Sequence, residues 1–145
     1  MNTDEVLAFN ARNITEFRAS GGKIKSFGDA PLLLLTTVGV TSGAARTSPM
    51  MYLPDEHEPD VVYVFASAAG ADRNPAWWGN LTAHPDDVTV EIGRERLTAH
   101  AHVLAEPERQ RIFDIQASRY AGFAGYQRMT SRPIPVAALT LQPPA

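Results

Sequence analysis

Apolar positions recur along the chain with two different periods, and the change of period separates predicted helices from predicted strands. Near the N-terminus they recur every three or four residues, which is typical of one face of an amphipathic helix. The apolar residues of this face are Val6, Leu7, Phe9, Ala11, Ile14 and Phe17. The pattern predicts a helix from about Thr3 to Ser20 within an N-terminal segment 1–22, because Gly21 and Gly22 end it.

Further along the chain, six segments show apolar runs or strict alternation between turn-forming residues, as β-strands do. The predicted strands are Leu32–Val38, Arg46–Leu53, Val61–Phe65, Val88–Ile92, Leu97–Val103 and Val136–Leu141. Two more helices are predicted, one beginning at Pro75 and one from Glu106 to Tyr120. Because most strands are joined by hairpin turns, we expect an α+β fold with about six mostly antiparallel strands in a small barrel, flanked by helices.

Composition limits the kinds of protein that this chain can be. A length of 145 residues with 44% hydrophobic and 20% charged residues is typical of one globular domain, here 1–145. The net charge of −3 argues against a nucleic-acid-binding protein, which normally carries a basic excess. The absence of cysteine excludes disulfides and cysteine-ligated metals.

No metal site and no membrane span are predicted. His100 and His102 share one face of a predicted strand, but no third ligand is evident nearby. No apolar stretch approaches the roughly 18 residues of a spanning helix, and no signal peptide is visible, so we expect a cytoplasmic protein. Peripheral contact of the first helix with a membrane is the weaker alternative, because Asp4 and Glu5 would repel anionic lipid.

Several motifs spread along the chain together resemble one enzyme family. They are Pro31–Gly39, Thr41–Arg46, Pro49–Leu53, Gly70–Trp77, Asn80-Leu81 and Tyr120–Gln127, followed by Thr130, Arg132 and Ile134-Pro135. Their order and spacing resemble the deazaflavin-dependent nitroreductase family, actinobacterial reductases that use coenzyme F420. The resemblance implies a split β-barrel related to flavin-binding reductases, with the deazaflavin in a groove beside the barrel. It also implies hydride transfer to an apolar conjugated acceptor, such as a quinone, an enone or a nitroaromatic compound.

In such a protein, cations and backbone donors would bind the anionic tail of the coenzyme. Guanidinium groups bind phosphate or carboxylate with two parallel hydrogen bonds, and a turn offers hydroxyl and amide donors. The candidates for these contacts are Thr41, Ser42, Gly43, Arg46 and Arg73. Family members often carry basic residues where Val40 and Thr41 stand, so weaker coenzyme binding or other phosphate contacts are expected here.

The ring of the coenzyme would lie on a loop of small residues, where the backbone can approach closely. This loop is Ser67, Ala68, Ala69, Gly70 and Ala71. Trp77 and Trp78 follow it, and their spacing does not decide which packs in the core and which borders the groove. The resemblance assigns Trp77 to the coenzyme, and Trp78 and Met51 to the substrate.

Aromatic residues spaced by three lie on one face of a helix near the C-terminus. Tyr120 and Tyr126 are the candidate catalytic residues together with Ser67, because a tyrosine hydroxyl can donate to an oxygen that gains charge. Phe123 stands where some members have a tyrosine, so it predicts a more apolar substrate pocket. A core-facing aromatic stripe is the structural alternative, although Gly122 and Gly125 weaken it.

Two other functions fit the same expected fold. FMN or another flavin could occupy the groove in place of the deazaflavin, or the protein could bind a coenzyme or apolar ligand without turnover. The sequence leaves open whether the protein is a monomer or a homodimer.

Overall fold

Strands and helices account for most of residues 3–142, the part of the chain that this computed structural model describes. The α-helices are α1 (Thr3–Ser20), α2 (Ala76–Ala83), α3 (Glu108–Arg119) and α4 (Ala121–Arg128). The strands are β1 (Leu32–Val38), β2 (Ala45–Met51), β3 (Leu53–Pro54), β4 (Val61–Phe65), β5 (Val88–Ile92), β6 (Glu95–Val103) and β7 (Val136–Gln142). Residues 1–2 and 143–145, which the predicted domain 1–145 includes, lie outside the described residues, and so does the start of the predicted N-terminal segment 1–22.

A single antiparallel sheet contains these strands in the order β2-β1-β5-β6-β7-β4-β3. The edge strands β2 and β3 are separated in the chain by Tyr52 alone, so one bent segment joins both edges of the curled sheet. The predicted strand Arg46–Leu53 is therefore two strands with different partners, and the sheet has seven strands rather than six. Each edge strand contains a proline, Pro49 and Pro54, which lacks the N–H group that a central strand needs. The predicted antiparallel split barrel is confirmed.

The barrel interior is lined by alternate residues of the strands. Leu33 and Leu35 of β1 face it and are fully buried, as period two requires. Trp78 and Leu81 of α2 pack against the same interior. Fully burying side chains of this size contributes about 1.5–3 kcal/mol each, so this barrel core holds α2 on the sheet.

A second and a third apolar cluster cover the outside of the sheet. The α3–α4 cluster joins Phe65 of β4 to Phe113 and Phe123, with ring centroids 6.2 and 5.6 Å apart in edge-to-face geometry. The α1 cluster contains Phe17, Ile24, Leu32 and Leu34. Since β1 is covered on both faces, its sequence reads as a continuous apolar run rather than an alternating one.

The predicted helix from Glu106 to Tyr120 corresponds to α3, and a separate helix follows it. The backbone of Tyr120 is extended, at φ −133° and ψ 98°, and the chain then turns into α4. Gly122 and Gly125 do not prevent this helix. Within residues 3–142, no helix is both long and apolar enough to cross a bilayer.

Candidate active site

A groove of about 870 Å³ lies between α1, the β1–β2 turn and the start of α2. Four of the predicted coenzyme-binding residues line this α1 groove: Thr41, Ser42, Arg46 and Trp77. The facing wall is formed by α1 residues, among them Val6, Leu7, Asn10, Ala11 and Ile14. The sequence did not predict that α1 would form this wall, because an amphipathic pattern shows which face is apolar but not what lies opposite.

The β1–β2 turn, Gly39–Ala44, is stabilised mainly by its own backbone. The Gly39 amide donates to the Ala44 carbonyl and the Gly43 amide to the Gly39 carbonyl, both at 2.8 Å. The Ser42 hydroxyl accepts from the Ala44 amide at 3.1 Å. A Cβ atom at Gly39 would lie 2.8 Å from the Ser42 Oγ and 3.2 Å from the Ala44 carbonyl oxygen, so a larger residue there would disturb the bond of the Ser42 hydroxyl to the Ala44 amide.

Asn80 of α2 connects this turn to the helix. Its Oδ1 accepts from the Val40 amide at 3.1 Å, and its Nδ2 lies 3.4 Å from the Thr37 hydroxyl. Within residues 3–142, the amides of Thr41 and Ser42 have no hydrogen-bond acceptor. The turn therefore presents two free donors in the α1 groove. Sequence reasoning assigned no role to Asn80, although the Asn80-Leu81 pair was part of the recognised pattern.

The two candidate arginines differ in position. Arg46 is exposed on β2, lines the α1 groove and forms no ion pair within the described chain. Arg73 is also exposed, but it is not among the residues that line this groove. Val40 lines the groove with 59% of its surface exposed.

The small-residue loop Ser67–Ala71 has an unusual backbone. Ala68, Ala69 and Gly70 all have positive φ values, of 45°, 52° and 85°. Such φ values are rare for residues with a Cβ atom and persist only where the surrounding structure holds them. Within the described residues, the amides of Ser67, Ala68 and Ala69 have no acceptor, so this loop also presents free backbone donors.

One guanidinium group bonds carbonyls at both ends of this loop. Arg132 donates to the carbonyls of Ala66, Ser67 and Ala71 at 3.2, 3.1 and 2.9 Å, and to the Asn74 Oδ1 at 2.8 Å. Sequence reasoning placed Arg132 in the family pattern without a role. The four acceptors lie 58 to 66 positions earlier in the chain, so no local pattern could have shown the contact.

The aromatic face of α4 packs against the α3–α4 cluster and lies beside the small-residue loop. Phe123 is buried, and Tyr126 is half-buried with its ring 5.6 Å from that of Phe123. A Cβ atom at Gly70 would lie 3.1 Å from the Tyr126 carbonyl oxygen, which shows how closely α4 approaches the loop. Tyr120 and Met51 are half-buried and pack against the same cluster.

The tryptophans have separate environments. Trp78 is 8% exposed and belongs to the barrel core, whereas Trp77 is half-buried and lines the α1 groove. Their rings meet edge to face at 5.9 Å. The structure therefore shows which tryptophan borders the groove, a question that the spacing left open.

Large pKa shifts lie outside these elements. The Asp55 carboxylate accepts from the Tyr63 hydroxyl and from two backbone amides, which lowers the pKa of Asp55 to about 2. Burial and the same contact raise the pKa of Tyr63 to about 12. This pair stabilises the β3–β4 hairpin.

His100 and His102 are exposed on β6, and the described residues contain no group of three or more potential metal ligands.

The comparison with solved structures places this chain among the F420-dependent reductases of the split-barrel type. A structure of an F420-H2 dependent reductase is 33% identical to it, covers 75% of this chain and 93% of its own, and superposes with a TM-score of 0.65. A domain-swapped dimer is 31% identical, with coverages of 89% and 96% and a TM-score of 0.67. The haem storage protein HutZ of Vibrio cholerae, 16% identical with a TM-score of 0.57, shares the fold alone.

The sequence comparisons are more specific. The model of the F420H(2)-dependent quinone reductase family matches residues 10–141. A quinone reductase of that name from Mycobacterium tuberculosis is 36% identical over 129 residues, which are 86% of this chain and 84% of the relative. The chain therefore belongs to the F420H(2)-dependent quinone reductase family, which confirms the predicted resemblance to deazaflavin-dependent enzymes.

Proposed function

We propose that this protein reduces a quinone with hydride from reduced coenzyme F420. The observation that supports the proposal most directly is the α1 groove, which combines free backbone donors and an arginine without an ion pair in residues 3–142 with an apolar wall. The anionic tail of the coenzyme needs the backbone donors and the arginine, and its flat aromatic ring suits the apolar wall. When bound, the deazaflavin supplies a hydride, and the chain itself has to bind, orient and shield the coenzyme and the quinone.

The tail of the coenzyme is assigned to the β1–β2 turn. The free amides of Thr41 and Ser42 point to an anion site, and Arg46 adds a charge that can bind two oxygens at once. Gly43 gives the turn its positive φ of 69°. In this proposal these donors take the place of the cations that the family resemblance leads us to expect at positions 40 and 41. Arg73 is a second cation for the tail in this proposal.

The ring is assigned to Trp77 and to the loop Ser67–Ala71. Free amides of this loop can donate to the ring carbonyls, and the small side chains leave space for a flat group. The hydroxyl of Ser67 has no partner within residues 3–142, so it can add a further donor. Trp78 supports this surface from behind by its edge-to-face contact with Trp77.

The acceptor is assigned to the side where α4 approaches the loop. Tyr126 and Tyr120 are proposed to donate a hydrogen bond to the quinone oxygen that gains charge during reduction. Half-buried Met51 and the buried Phe123, which packs on Tyr126, make the surroundings of this side apolar, which suits a quinone better than a polar acceptor. Exposed Val6 and Leu7 line the α1 groove, and they would also serve a peripheral contact with a membrane.

A titration of the purified protein with oxidised F420, followed by the fluorescence of the deazaflavin, tests the proposal. We expect saturable binding at micromolar concentrations, and oxidation of reduced F420 when menadione is added. No binding at high micromolar F420 would overturn the proposal. A protein that is purified yellow with a flavin spectrum would favour FMN instead, and binding without turnover of any quinone would favour a carrier.

A further inference from the structure

We propose that Arg132 is a positioning residue, which holds the loop Ser67–Ala71 in the conformation that binds the coenzyme. The inference rests on the proposed function, because the loop's role in coenzyme binding belongs to it. Arg132 touches neither the α1 groove nor the free amides. It would act through the loop alone.

The geometry of the contact favours a guanidinium group. Three carbonyl oxygens and one amide oxygen lie within 2.8–3.2 Å of three different nitrogen atoms of one side chain. A planar guanidinium has five N–H donors in a fixed fork, whereas an ammonium group is a point donor that cannot reach acceptors spread over such a fork. The acceptors extend from Ala66 to Asn74 and so include both ends of the loop.

Holding the carbonyls determines where the amides point. Ala68 and Ala69 would relax to negative φ values if nothing held them, because positive φ is unfavourable for alanine. Such a relaxation would rotate the neighbouring peptide groups and turn their N–H groups away from their present direction. With Arg132 in place, the carbonyls are bonded and the amides of Ser67, Ala68 and Ala69 are left free. The contact therefore preorganises the loop's donors before the coenzyme arrives.

Arg132 is itself fixed to α4. The Gln127 side chain donates to the Arg132 carbonyl at 2.8 Å and accepts from the Ile134 amide at 3.0 Å. This clamp joins the helix that carries Tyr126 to the loop through a single side chain. A change at Gln127 should therefore disturb the loop in the same direction as a change at Arg132, but less.

The test compares Arg132→Met and Arg132→Lys with the wild type and with Arg111→Met. Arg111 is a suitable control because its guanidinium pairs with Glu108 on α3 and makes no contact with the loop. Amide hydrogen exchange is measured on the coenzyme-free proteins, and F420 affinity by fluorescence titration. In Arg132→Met we expect at least tenfold faster exchange at the Gly70 and Ala71 amides, which are bonded within the loop, and at least tenfold weaker F420 binding. Arg132→Lys should recover part of both, and Arg111→Met should change neither.

The outcomes separate the two proposals. Faster exchange confined to the loop, together with a raised KM for reduced F420 and a smaller change in the KM for quinone, would support the role of Arg132. Wild-type exchange and affinity in Arg132→Met would overturn it while leaving the proposed function intact. If the wild type binds no F420, the proposed function itself fails. Should Arg132→Met not fold, Gln127→Leu gives the same comparison, and an unchanged loop there would count against the inference.

Discussion

The β1–β2 turn and the loop Ser67–Ala71 both contain backbone amides without an acceptor in residues 3–142, and the two loops are held in different ways. The β1–β2 turn is stabilised mostly by bonds between its own residues, with one contact from Asn80. The loop Ser67–Ala71 contains two alanines with positive φ and depends on Arg132, which lies more than 60 residues later than Ser67. The first loop, the β1–β2 turn, is thus stabilised mainly by residues close together in the chain. The second loop, Ser67–Ala71, depends on a side chain that only the folded chain brings near. Changes near each loop should therefore have different kinds of effect.

The largest effect is expected where the second loop meets α4. In Gly70→Ala the new Cβ atom would lie 2.9 Å from Met129 and 3.1 Å from the Tyr126 carbonyl, at a φ of +85°. Overpacking and the left-handed backbone together should lower the free energy of unfolding by about 2–4 kcal/mol. Chemical denaturation measures this change.

Gly122→Ala is the matched control for that substitution. Gly122 lies in α4, and a Cβ atom there would have no atom of the described residues within 4 Å outside its own helix backbone and chain neighbours. Alanine should therefore stabilise the helix by up to about 1 kcal/mol. Equal stabilities of the two variants would show that α4 does not press on the loop as the geometry indicates.

A substitution in the first loop region should affect binding rather than folding. Arg46→Ala removes an exposed cation without a partner in residues 3–142, so the melting temperature should stay close to that of the wild type. Loss of a charge-assisted bond of about 1.5–3 kcal/mol would weaken F420 binding by roughly ten- to a hundredfold. Fluorescence titration gives the Kd.

Arg73→Ala sharpens the same comparison. Because Arg73 does not line the α1 groove, its loss should weaken F420 binding less than the loss of Arg46. A larger effect at Arg73 would indicate that the tail of the coenzyme binds nearer to the second loop than to the β1–β2 turn.

A smaller effect is expected at the helix that borders the second loop. Tyr126→Phe removes one hydroxyl from a half-buried side chain whose ring packs on Phe123. Loss of one hydrogen bond to the reduced oxygen, about 0.5–1.5 kcal/mol, should lower kcat up to roughly tenfold with little change in F420 affinity. Steady-state kinetics at saturating F420 test this, and an unchanged kcat would remove the proposed role of the hydroxyl.

The smallest effect concerns the hydrogen bond that Asn80 of α2 makes with the first loop, the β1–β2 turn. Asn80→Ala removes the acceptor of the Val40 amide, but the turn keeps its internal bonds. We expect F420 binding to weaken a few-fold and the free energy of unfolding to change by less than about 1 kcal/mol. Thr82→Ala on the same helix is the control, since its hydroxyl bonds only the Gly79 carbonyl. A collapse of binding in Asn80→Ala would mean that the first loop is not self-supporting.

The strands and their antiparallel arrangement were predictable because their signals are local. Apolar runs in β1 and β4, period-two alternation in β5 and β6, and the turn residues between strands located these strands and β7 within two residues. The division of the predicted strand Arg46–Leu53 into β2 and β3 was not predictable. Nothing in the local sequence at Tyr52 shows that the residues before it and after it pair with different strands. For the same reason the groove wall on α1 and the anchor at Arg132 were missed, since both depend on contacts between segments far apart in the chain.

The bend at Tyr52 also sets which part of the chain can change in length. Met51 packs against the α1 cluster and the α3–α4 cluster, Tyr52 against the barrel core, and Leu53 against the α3–α4 cluster again. An inserted residue here would send each of these side chains to the wrong layer, because successive residues of a strand face opposite sides. The residues of the hairpin turn at 56–60 are exposed and belong to none of these clusters. Homologues should therefore differ in length at that turn and keep the spacing from Met51 to Leu53.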